Sequence, residues 1–223
     1  MEELQEYFPF WNNLTAEQQN KLRGTAQKRH FAKGTMIHSG SDDCIGLLLV
    51  IRGQIRVYSL SNEGKELTLY RLFERDMCLF SASCILPSIQ FDVMVSAEQD
   101  TTVFLVPAHL YKQLMEGSAA VANYTNELMA THFSDVMWLM DQILNKKLDS
   151  RLAAFLLEES ELTSEPSLAL THEQIASHLG SIREVVTRML KYFENEGLVK
   201  LGRKKITLIN TEKLAALAQA SRR

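Results

Sequence analysis

Four residues near the C-terminal end of the chain carry side chains suited to reading the edges of DNA bases. They are Arg183, Glu184, Thr187 and Arg188. They follow one another at spacings of one, three and one, which place them on one side of a helix. Arginine can donate two hydrogen bonds to guanine O6 and N7, and glutamate can accept one from cytosine N4. Threonine can contact a phosphate, a base edge or a thymine methyl group. The set therefore indicates a surface that reads the major groove.

A second group of side chains nearby is suited to the sugar–phosphate backbone of DNA. Such contacts fix the position of a protein on the duplex without reading its sequence, and they use hydroxyl groups and cations. The cationic part of the group is the run GRKK within ENEGLVKLGRKKITLI. The residues assigned to backbone contact are Thr171, Ser181, Arg203, Lys204 and Lys205.

The local sequence predicts elements that would position both groups. In LTHEQIASHLGSIREVVTRMLKYF, Thr171 precedes a first helix, Gly180 permits a turn with positive φ, and Ser181 can cap a second helix. Two short strands, over 198–200 and 206–209, then flank the basic turn. The pattern predicts a winged helix-turn-helix, and an ordinary helical hairpin with solvated arginines is the alternative.

The distribution of charge agrees with this interpretation. Residues 171–223 hold ten lysines and arginines against five acidic residues, a balance of +5, which leaves −8 for residues 1–170. A basic segment on an acidic chain is typical of a nucleic-acid module joined to another domain. An uneven scatter of ordinary surface charge is the alternative.

The first half of the chain predicts β-structure. From about residue 31 to residue 107, short runs rich in β-branched and aromatic residues are separated by glycines and by the turns NEG and EQD. Polar and apolar residues roughly alternate in IRVYSL and ELTLYRL, which predicts half-buried antiparallel strands around the turn at 61–64. The spacing predicts an antiparallel β-roll of the cupin-like jelly-roll type, preceded by a short helix after Thr15.

A long helical pattern follows Pro107. Its apolar positions recur at helical spacing, and we expect them to pair two copies of the chain into a homodimer; packing against their own domain is the alternative. The residues assigned to dimerisation are Leu128, Val136, Leu139 and Ile143. The fold class is therefore α+β, with a roll over 1–110, a long dimerisation helix over 111–146 and the winged helix-turn-helix over 147–223.

Several classes of protein are not expected. No stretch approaches eighteen consecutive apolar residues and the N-terminal MEELQEYFPFWNN is acidic and polar, so we expect a soluble, cytoplasmic chain without a membrane span. Three cysteines without CxxC spacing indicate neither a disulfide framework nor a structural metal. Catalysis is not expected either, because no HExxH, P-loop, Rossmann glycine pattern or Ser/His/Asp order is present.

The chain resembles the Crp/Fnr superfamily of bacterial transcription regulators over nearly its whole length. The matching stretches are KGTMIHSG, LLLVIRGQIRVYSLSNEGKELTLYRL, the long helix and LTHEQIASHLGSIREVVTRMLKYFENEGLV. The resemblance implies a sensory roll, a two-fold dimer formed by the long helix, and a second motif helix that reads each half of a palindrome. Arg183, Glu184 and Arg188 match the base-reading positions, which implies a half-site with a G-A step, and Thr187 stands where family members carry a small or hydroxyl residue.

Cyclic AMP is not expected as the effector. In the cyclic-nucleotide binders of this family, a glycine-glutamate pair contacts the ribose and an Arg-Ser or Arg-Thr pair contacts the cyclic phosphate. This chain has Phe91 and Asp92 at the Arg-Ser positions and Phe80 near the glutamate position. An aromatic ring cannot donate to a phosphate, and a carboxylate repels one.

The predicted effector pocket is apolar and would hold an apolar or aromatic ligand, haem, or nothing. Its residues are Met77, Cys78, Phe80, Cys84, Phe91, Asp92 and Met94, which could equally be plain core. An iron–sulfur cluster is not expected, because the first 43 residues contain no cysteine. Haem stays open, with His30, His38, Cys78 and Cys84 as the candidate axial ligands.

Cys78 and Cys84 also suggest a thiol switch. They are six residues apart and would meet if the chain turned between them, so that oxidation could reshape the roll. The alternative is a pair of small, buried, unreactive side chains.

The sequence thus predicts a homodimeric regulator that binds double-stranded DNA and responds to an unidentified effector or redox signal. RNA polymerase is a further expected partner, and no membrane partner is expected. The competing hypothesis is a cytosolic haem or small-molecule carrier whose DNA-binding module is degenerate.

Cyclic AMP should show no binding to the purified chain in a calorimetric titration. The reason is the Phe91–Asp92 pair at the place of the phosphate-binding pair. A dissociation constant in the micromolar range would contradict this prediction.

Overall fold

The computed structural model describes residues 4–40, 44–85 and 92–219, and within them the chain forms two compact units. The first unit comprises Met1–Leu60 and Leu69–Val136. The second comprises Ser61–Thr68 and Met137–Arg223. Both units combine strands with helices, so the predicted α+β class is confirmed.

Two four-stranded antiparallel sheets form the roll. One has the order β1-β8-β3-β6 and the other β2-β7-β4-β5. The strands are β1 Gln27–Phe31, β2 Met36–Ser39, β3 Leu47–Arg52, β4 Ile55–Leu60, β5 Glu66–Leu72, β6 Met77–Cys78, β7 Met94–Ala97 and β8 Thr101–Val106. The predicted hairpin is confirmed as β4 and β5, whose connecting turn is closed by a hydrogen bond that the Ser61 N–H donates to the Lys65 carbonyl at 2.8 Å.

Strand β3 is buried on both faces, which explains why its sequence is apolar without interruption. Leu48 and Val50 point into the interior of the roll, where residues of both sheets meet. Leu47 and Leu49 point to the other side, into a core shared with the helices of the first unit. A strand buried on both faces loses the polar alternation of an edge or half-exposed strand.

Gly53 makes the turn from β3 to β4. Its φ is +98°, and a Cβ at this position would lie 2.6 Å from the Asp100 carbonyl oxygen. Both the backbone conformation and the close approach of a neighbouring strand therefore require glycine.

Four helices belong wholly or partly to the first unit. They are α1 Leu4–Tyr7, α2 Ala16–Thr25, α3 Ala108–Gly117 and α4 Ala119–Asn145. The helix predicted after Thr15 is confirmed as α2, since the Thr15 hydroxyl and the Gln18 side chain form a reciprocal capping box. No helix within the described ranges has both the length and the apolar character needed to cross a bilayer.

The prediction of one continuous helix over 111–146 was wrong at its start. The helical region breaks at Ser118, whose φ of −142° and ψ of 114° are extended, so that α3 ends at Gly117 and α4 begins at Ala119. Glycine next to serine is a weak helix-forming pair, which accounts for the break.

The second unit contains the C-terminal helices and a small sheet. The helices are α5 Leu148–Thr163, α6 His172–Leu179, α7 Arg183–Asn195 and α8 Thr211–Gln219. The sheet has the order β10-β11-β9, with β9 Ser167–Leu168, β10 Val199–Gly202 and β11 Lys205–Leu208. Strands β10 and β11 match the two strands predicted around the basic turn.

The turn between α6 and α7 follows the predicted pattern with one exception. Thr171 caps α6 through a capping box with Gln174, and Gly180 has a φ of +63°. The predicted cap at Ser181 was wrong: α7 begins at Arg183, its N-cap residue is Ile182, and no side chain caps it. The Ser181 N–H instead donates to the Ala176 carbonyl at 3.0 Å, which completes the end of α6.

Candidate functional site

Helix α7 has one buried and one exposed side, as the sequence predicted. Val186, Leu190 and Phe193 are completely buried in the core of the second unit, together with Ile175 and Ala176 of α6. The three charged residues predicted to read bases are all exposed: Arg183, Glu184 and Arg188. The helix can therefore present these charges to a ligand without breaking a contact within the core.

Thr187 is less available than the other three predicted base-reading residues. It is half-buried, and its hydroxyl donates to the Arg183 carbonyl at 2.8 Å. The same oxygen lies 2.9 Å from Nδ1 of His172, the first residue of α6. The sequence offered no sign of this contact, because the two residues are fifteen positions apart on different helices.

His172 lies in a positively charged environment. Burial lowers the pKa of its imidazole, and the nearby charges of Arg183 and Lys191 lower this pKa further. His172 is therefore neutral at neutral pH, and the cations on α7 are not accompanied by a charged histidine beside them.

The basic turn lies between β10 and β11. Arg203, Lys204 and Lys205 are exposed, and Lys204 adopts a φ of +54° at the tip. The Leu201 N–H donates to the Glu194 carboxylate at 2.8 Å, which ties β10 to the last turn of α7. The cationic tip is thus held at a fixed place relative to the helix that carries Arg183.

The two hydroxyl residues assigned to backbone contact are both half-buried. Thr171 uses its hydroxyl in the capping box of α6, where it accepts from the Gln174 N–H at 3.2 Å. Ser181 lies in the turn just before α7. Thr171 is thus the N-cap residue of α6, where backbone N–H groups favour anions, whereas Ser181 comes one residue before the N-cap of α7.

Helix α4 carries an exposed apolar stripe that the sequence did not single out. Its residues are Phe133, Met137, Met140 and Leu144, each between 46% and 68% exposed. Their spacing of four, three and four is that of a coiled-coil seam. Three of the residues assigned to dimerisation, Val136, Leu139 and Ile143, each precede one of them and are half-buried.

Leu128, the fourth residue assigned to dimerisation, packs against the core of the first unit. Helix α4 is apolar on two sides, so periodicity alone did not separate the inner side from the exposed one.

The residues predicted to line an effector pocket occupy different environments. Met77 packs into the core next to the helices, whereas Cys78 and Phe80 belong to the interior of the roll. Asp92 is exposed and Met94 is half-buried on β7. Phe91 and the side chain of Cys84 lie outside the described residues. The set is thus not one contiguous apolar surface among the residues whose side chains are described.

The cysteines do not form the pair considered for a thiol switch. Cys78 is a free, completely buried thiol, and burial raises its pKa. Cys44, in contrast, is disulfide-bonded. Cys78 is therefore held as an unreactive thiol within the roll.

Of the histidines considered as haem ligands, His30 is exposed on β1 and lies 3.3 Å from the Thr102 hydroxyl. His38 is buried on β2. Across the described ranges, no group of three or more His, Cys, Asp or Glu side chains is arranged to hold a metal ion.

A buried polar pair joins the roll to α4 within the first unit. The rings of Tyr70 on β5 and His132 on α4 are stacked, with centroids 4.1 Å apart and planes 7° from parallel. Tyr70 is 8% exposed and His132 is 6% exposed. Within the part of the chain that the structure describes, the Tyr70 hydroxyl and both His132 ring nitrogens have no hydrogen-bond partner.

The environment of this pair keeps both side chains uncharged at neutral pH. Burial lowers the pKa of His132, against the opposing effect of the Asp135 carboxylate 3.6 Å away. Burial also raises the pKa of Tyr70 well above its ordinary value, with smaller contributions from Cys78 and Asp135. No sequence pattern indicated this pair, since a single histidine on an apolar helix is ordinarily a core or surface residue.

Comparison with known families gives a match to the second unit. A family model for the Crp-like helix-turn-helix domain matches residues 150–217. The matched residues include α6, the turn at Gly180, α7 and the basic turn.

Whole-chain comparison extends the similarity to the roll. A solved structure of a protein assigned to the Crp/Fnr family of transcriptional regulators, from Eubacterium rectale, is 56% identical; the match covers 96% of this chain and 100% of that one, with a TM-score of 0.94. The cyclic AMP receptor protein of Thermus thermophilus is 25% identical over 87% of this chain and 89% of its own length. The global nitrogen regulator of Synechococcus elongatus is 25% identical over 82% of this chain and 86% of its own length.

Lowering the pH should destabilise the protein partly through His132. The folded state favours the neutral imidazole, so the pKa of His132 lies below the ordinary value of 6.5. Between this lowered pKa and 6.5, the unfolded state therefore binds more protons than the folded state. The contribution is fully present above about pH 6.5 and is lost as the pH falls below it. His132→Phe, which keeps the stack on Tyr70, should reduce the loss of stability in urea titrations between about pH 8 and about pH 5.

The matched control is His30→Phe, which changes an exposed histidine of the same unit and should leave the pH dependence unchanged. Equal slopes for wild type and His132→Phe would contradict the assignment.

Proposed function

We propose that this chain, which belongs to the Crp/Fnr family of transcription regulators, binds palindromic DNA as a homodimer and responds to a signal received in its roll. Its relatives are transcription regulators rather than enzymes, and its helix-turn-helix is of the Crp type. The observation that carries the proposal is the exposed charged face of α7 beside an exposed cationic turn.

The reading surface is proposed to work by two kinds of contact. Arg183, Glu184 and Arg188 would reach base edges in the major groove, where their donor and acceptor patterns select particular base pairs. The tip formed by Arg203, Lys204 and Lys205 would neutralise phosphates, together with Thr171 and Ser181 near the helix N-termini. The division assigns specificity to α7 and much of the affinity to the basic turn.

A second copy of the chain is the proposed occupant of the exposed stripe on α4. Four large apolar side chains with coiled-coil spacing favour pairing with an identical helix. Removing each of these side chains from water would stabilise the dimer by up to roughly 1.5–3 kcal/mol. The half-buried Val136, Leu139 and Ile143 would flank the seam, while Leu128 belongs to the first unit's core. Two-fold pairing would set the reading helices about 34 Å apart, one turn of DNA.

The signal is proposed to act on the junction between the roll and α4. Burying a polar group without a partner costs about 1–3 kcal/mol, and among the described residues the Tyr70 hydroxyl and His132 Nε2 have neither a hydrogen-bond nor an ion-pair partner. That cost is large beside the roughly 5–15 kcal/mol by which a typical domain is stable. Because the stacked arrangement of Tyr70 and His132 is costly, a second arrangement of these side chains could have a similar free energy. An effector that supplied hydrogen bonds to them would favour one arrangement over the other and so change the packing of α4.

The chemical identity of the effector is not assigned by these contacts. Although one relative is a cyclic AMP receptor protein, we propose that this chain does not bind cyclic AMP, because its acidic Asp92 stands where that ligand's phosphate would need a donor. The carrier hypothesis is less favoured, since the three charged residues proposed to read bases, Arg183, Glu184 and Arg188, are all exposed on α7. RNA polymerase remains the proposed protein partner at promoters.

Arg183→Ala should reduce affinity for a duplex selected by the wild-type protein from a random pool by about 5- to 150-fold, while binding to unrelated DNA changes little. Lys204→Gly should weaken binding to both kinds of DNA alike and reduce the salt dependence by about one charge. Glycine is chosen because the φ of Lys204 is +54°. Fluorescence anisotropy at several salt concentrations measures both effects.

Equal losses on selected and unrelated DNA for both variants would contradict the division of roles. Failure of the wild-type chain to select any duplex would contradict DNA reading altogether.

Met140→Glu should convert the dimer into a monomer in sedimentation velocity, because it places charge in the middle of the apolar seam. Thr131→Glu is the matched control: Thr131 is an exposed residue of the same helix on a different side, and the variant should remain dimeric. A Met140→Glu variant that sediments as wild type would exclude this stripe as the interface.

A further inference from the structure

The hydrogen bonds of Thr187 restrict what this residue can offer to DNA. The Arg183 carbonyl oxygen only accepts, so the single hydroxyl proton of Thr187 is donated there, at 2.8 Å. His172 Nδ1, 2.9 Å from the same oxygen, must then be the donor to it. The contact therefore assigns the proton of the neutral imidazole to Nδ1.

These two bonds hold the hydroxyl within the protein, so the methyl group is the part of the Thr187 side chain that makes no hydrogen bond. The hydroxyl proton and one of its two lone pairs are already used within the protein. If the Thr187 hydroxyl moved away from His172, the half-buried Nδ1–H of His172 would lose its hydrogen-bond acceptor, which costs free energy. The side chain is thus held in one arrangement by two helices.

The surroundings of this methyl group on α7 are charged. Arg183 lies one turn before it, and Glu184 and Arg188 lie beside it, all three exposed. Among the groups that base pairs present in the major groove, the thymine C5-methyl group is the apolar one. A held methyl group among polar readers is therefore complementary to thymine.

We propose that Thr187 recognises a thymine in each half-site through its methyl group, and that His172 is the positioning residue that keeps the hydroxyl away from the base edges. This inference rests on the proposed function, because it requires that α7 reads DNA. Of the three contacts that the sequence left open for Thr187, a phosphate, a base edge or a thymine methyl group, it selects the last.

The test uses the full-length chain and a duplex that the wild-type protein selects from a random pool. Each thymine of the half-site is replaced in turn by deoxyuridine, which removes the C5-methyl group alone. We expect one position at which the wild-type affinity falls by about four-fold, the effect of one buried methyl group. Anisotropy titrations of wild type and variants on both duplexes give the coupling between protein and DNA methyl groups.

Two variants of Thr187 separate the methyl group from the hydroxyl. Thr187→Val keeps the methyl group and should retain the thymine preference. Thr187→Ser keeps the hydroxyl and should bind the thymine and uracil duplexes equally. The inference is overturned if Thr187→Ser retains the preference, if Thr187→Val loses it, or if no thymine is sensitive to replacement.

Two variants of His172 test its positioning role. His172→Ala should weaken the thymine preference, because it removes one of the two hydrogen bonds that hold the Thr187 hydroxyl, whereas His172→Asn should restore the preference, since an asparagine N–H can replace Nδ1–H. A purely structural role would lower the melting temperature without changing the preference, and that result would reject positioning by His172. Failure to select any duplex would instead reject the proposed function, and this inference with it.

Discussion

The burial of one side of α7 is the interaction on which the rest of the DNA-binding unit depends. Val186, Leu190 and Phe193 are completely buried, each contributing roughly 1.5–3 kcal/mol, whereas an exposed ion pair contributes about 0–1 kcal/mol. The apolar side therefore fixes the rotation of the helix about its axis, and the charged residues lie on the side that stays exposed to solvent. Because orientation is set by the core, Arg183 and Glu184 are free of structural duties and can serve recognition.

The same constraint organises the contacts around α7. Gly180 lets α6 end and α7 begin within a few residues, which brings the first residue of α6 beside the second turn of α7. The Glu194 carboxylate then fixes β10 to the far end of the helix. Three connections of different chemistry thus hold the helix, the turn and the basic tip as one rigid surface, and rigid placement is what sequence discrimination requires.

The first unit is organised differently, because its interior contains polar groups that are not satisfied. Most of the roll is an apolar core in which residues of two sheets meet. Tyr70 and His132 are exceptions: they are stacked, uncharged and without hydrogen-bond partners within the described part of the chain. A fold optimised only for stability would place apolar side chains here. The departure is located where a strand of the roll meets the long helix, which is where a change in packing would move that helix.

The sequence by itself determined the elements and their order. Alternation predicted β4 and β5, capping residues predicted the starts of α2 and α6, and Gly180 predicted the turn, because each signal depends on residues only a few positions apart. It also identified the exposed charged residues of α7, since one strongly apolar stripe determines which side of the helix is buried. The family resemblance followed from these same local patterns.

Tertiary structure decided whatever depends on residues distant in sequence. Ile182 rather than Ser181 is the cap residue of α7, because Ser181 N–H completes the end of α6. Helix α4 has two apolar sides, and only the tertiary structure shows that Phe133 and Met140 are on the exposed one. The bond between His172 and Thr187 and the stack of His132 on Tyr70 each join residues from separate elements. No local pattern records such pairings, because burial and hydrogen bonding at these sites are set by which elements the fold brings together.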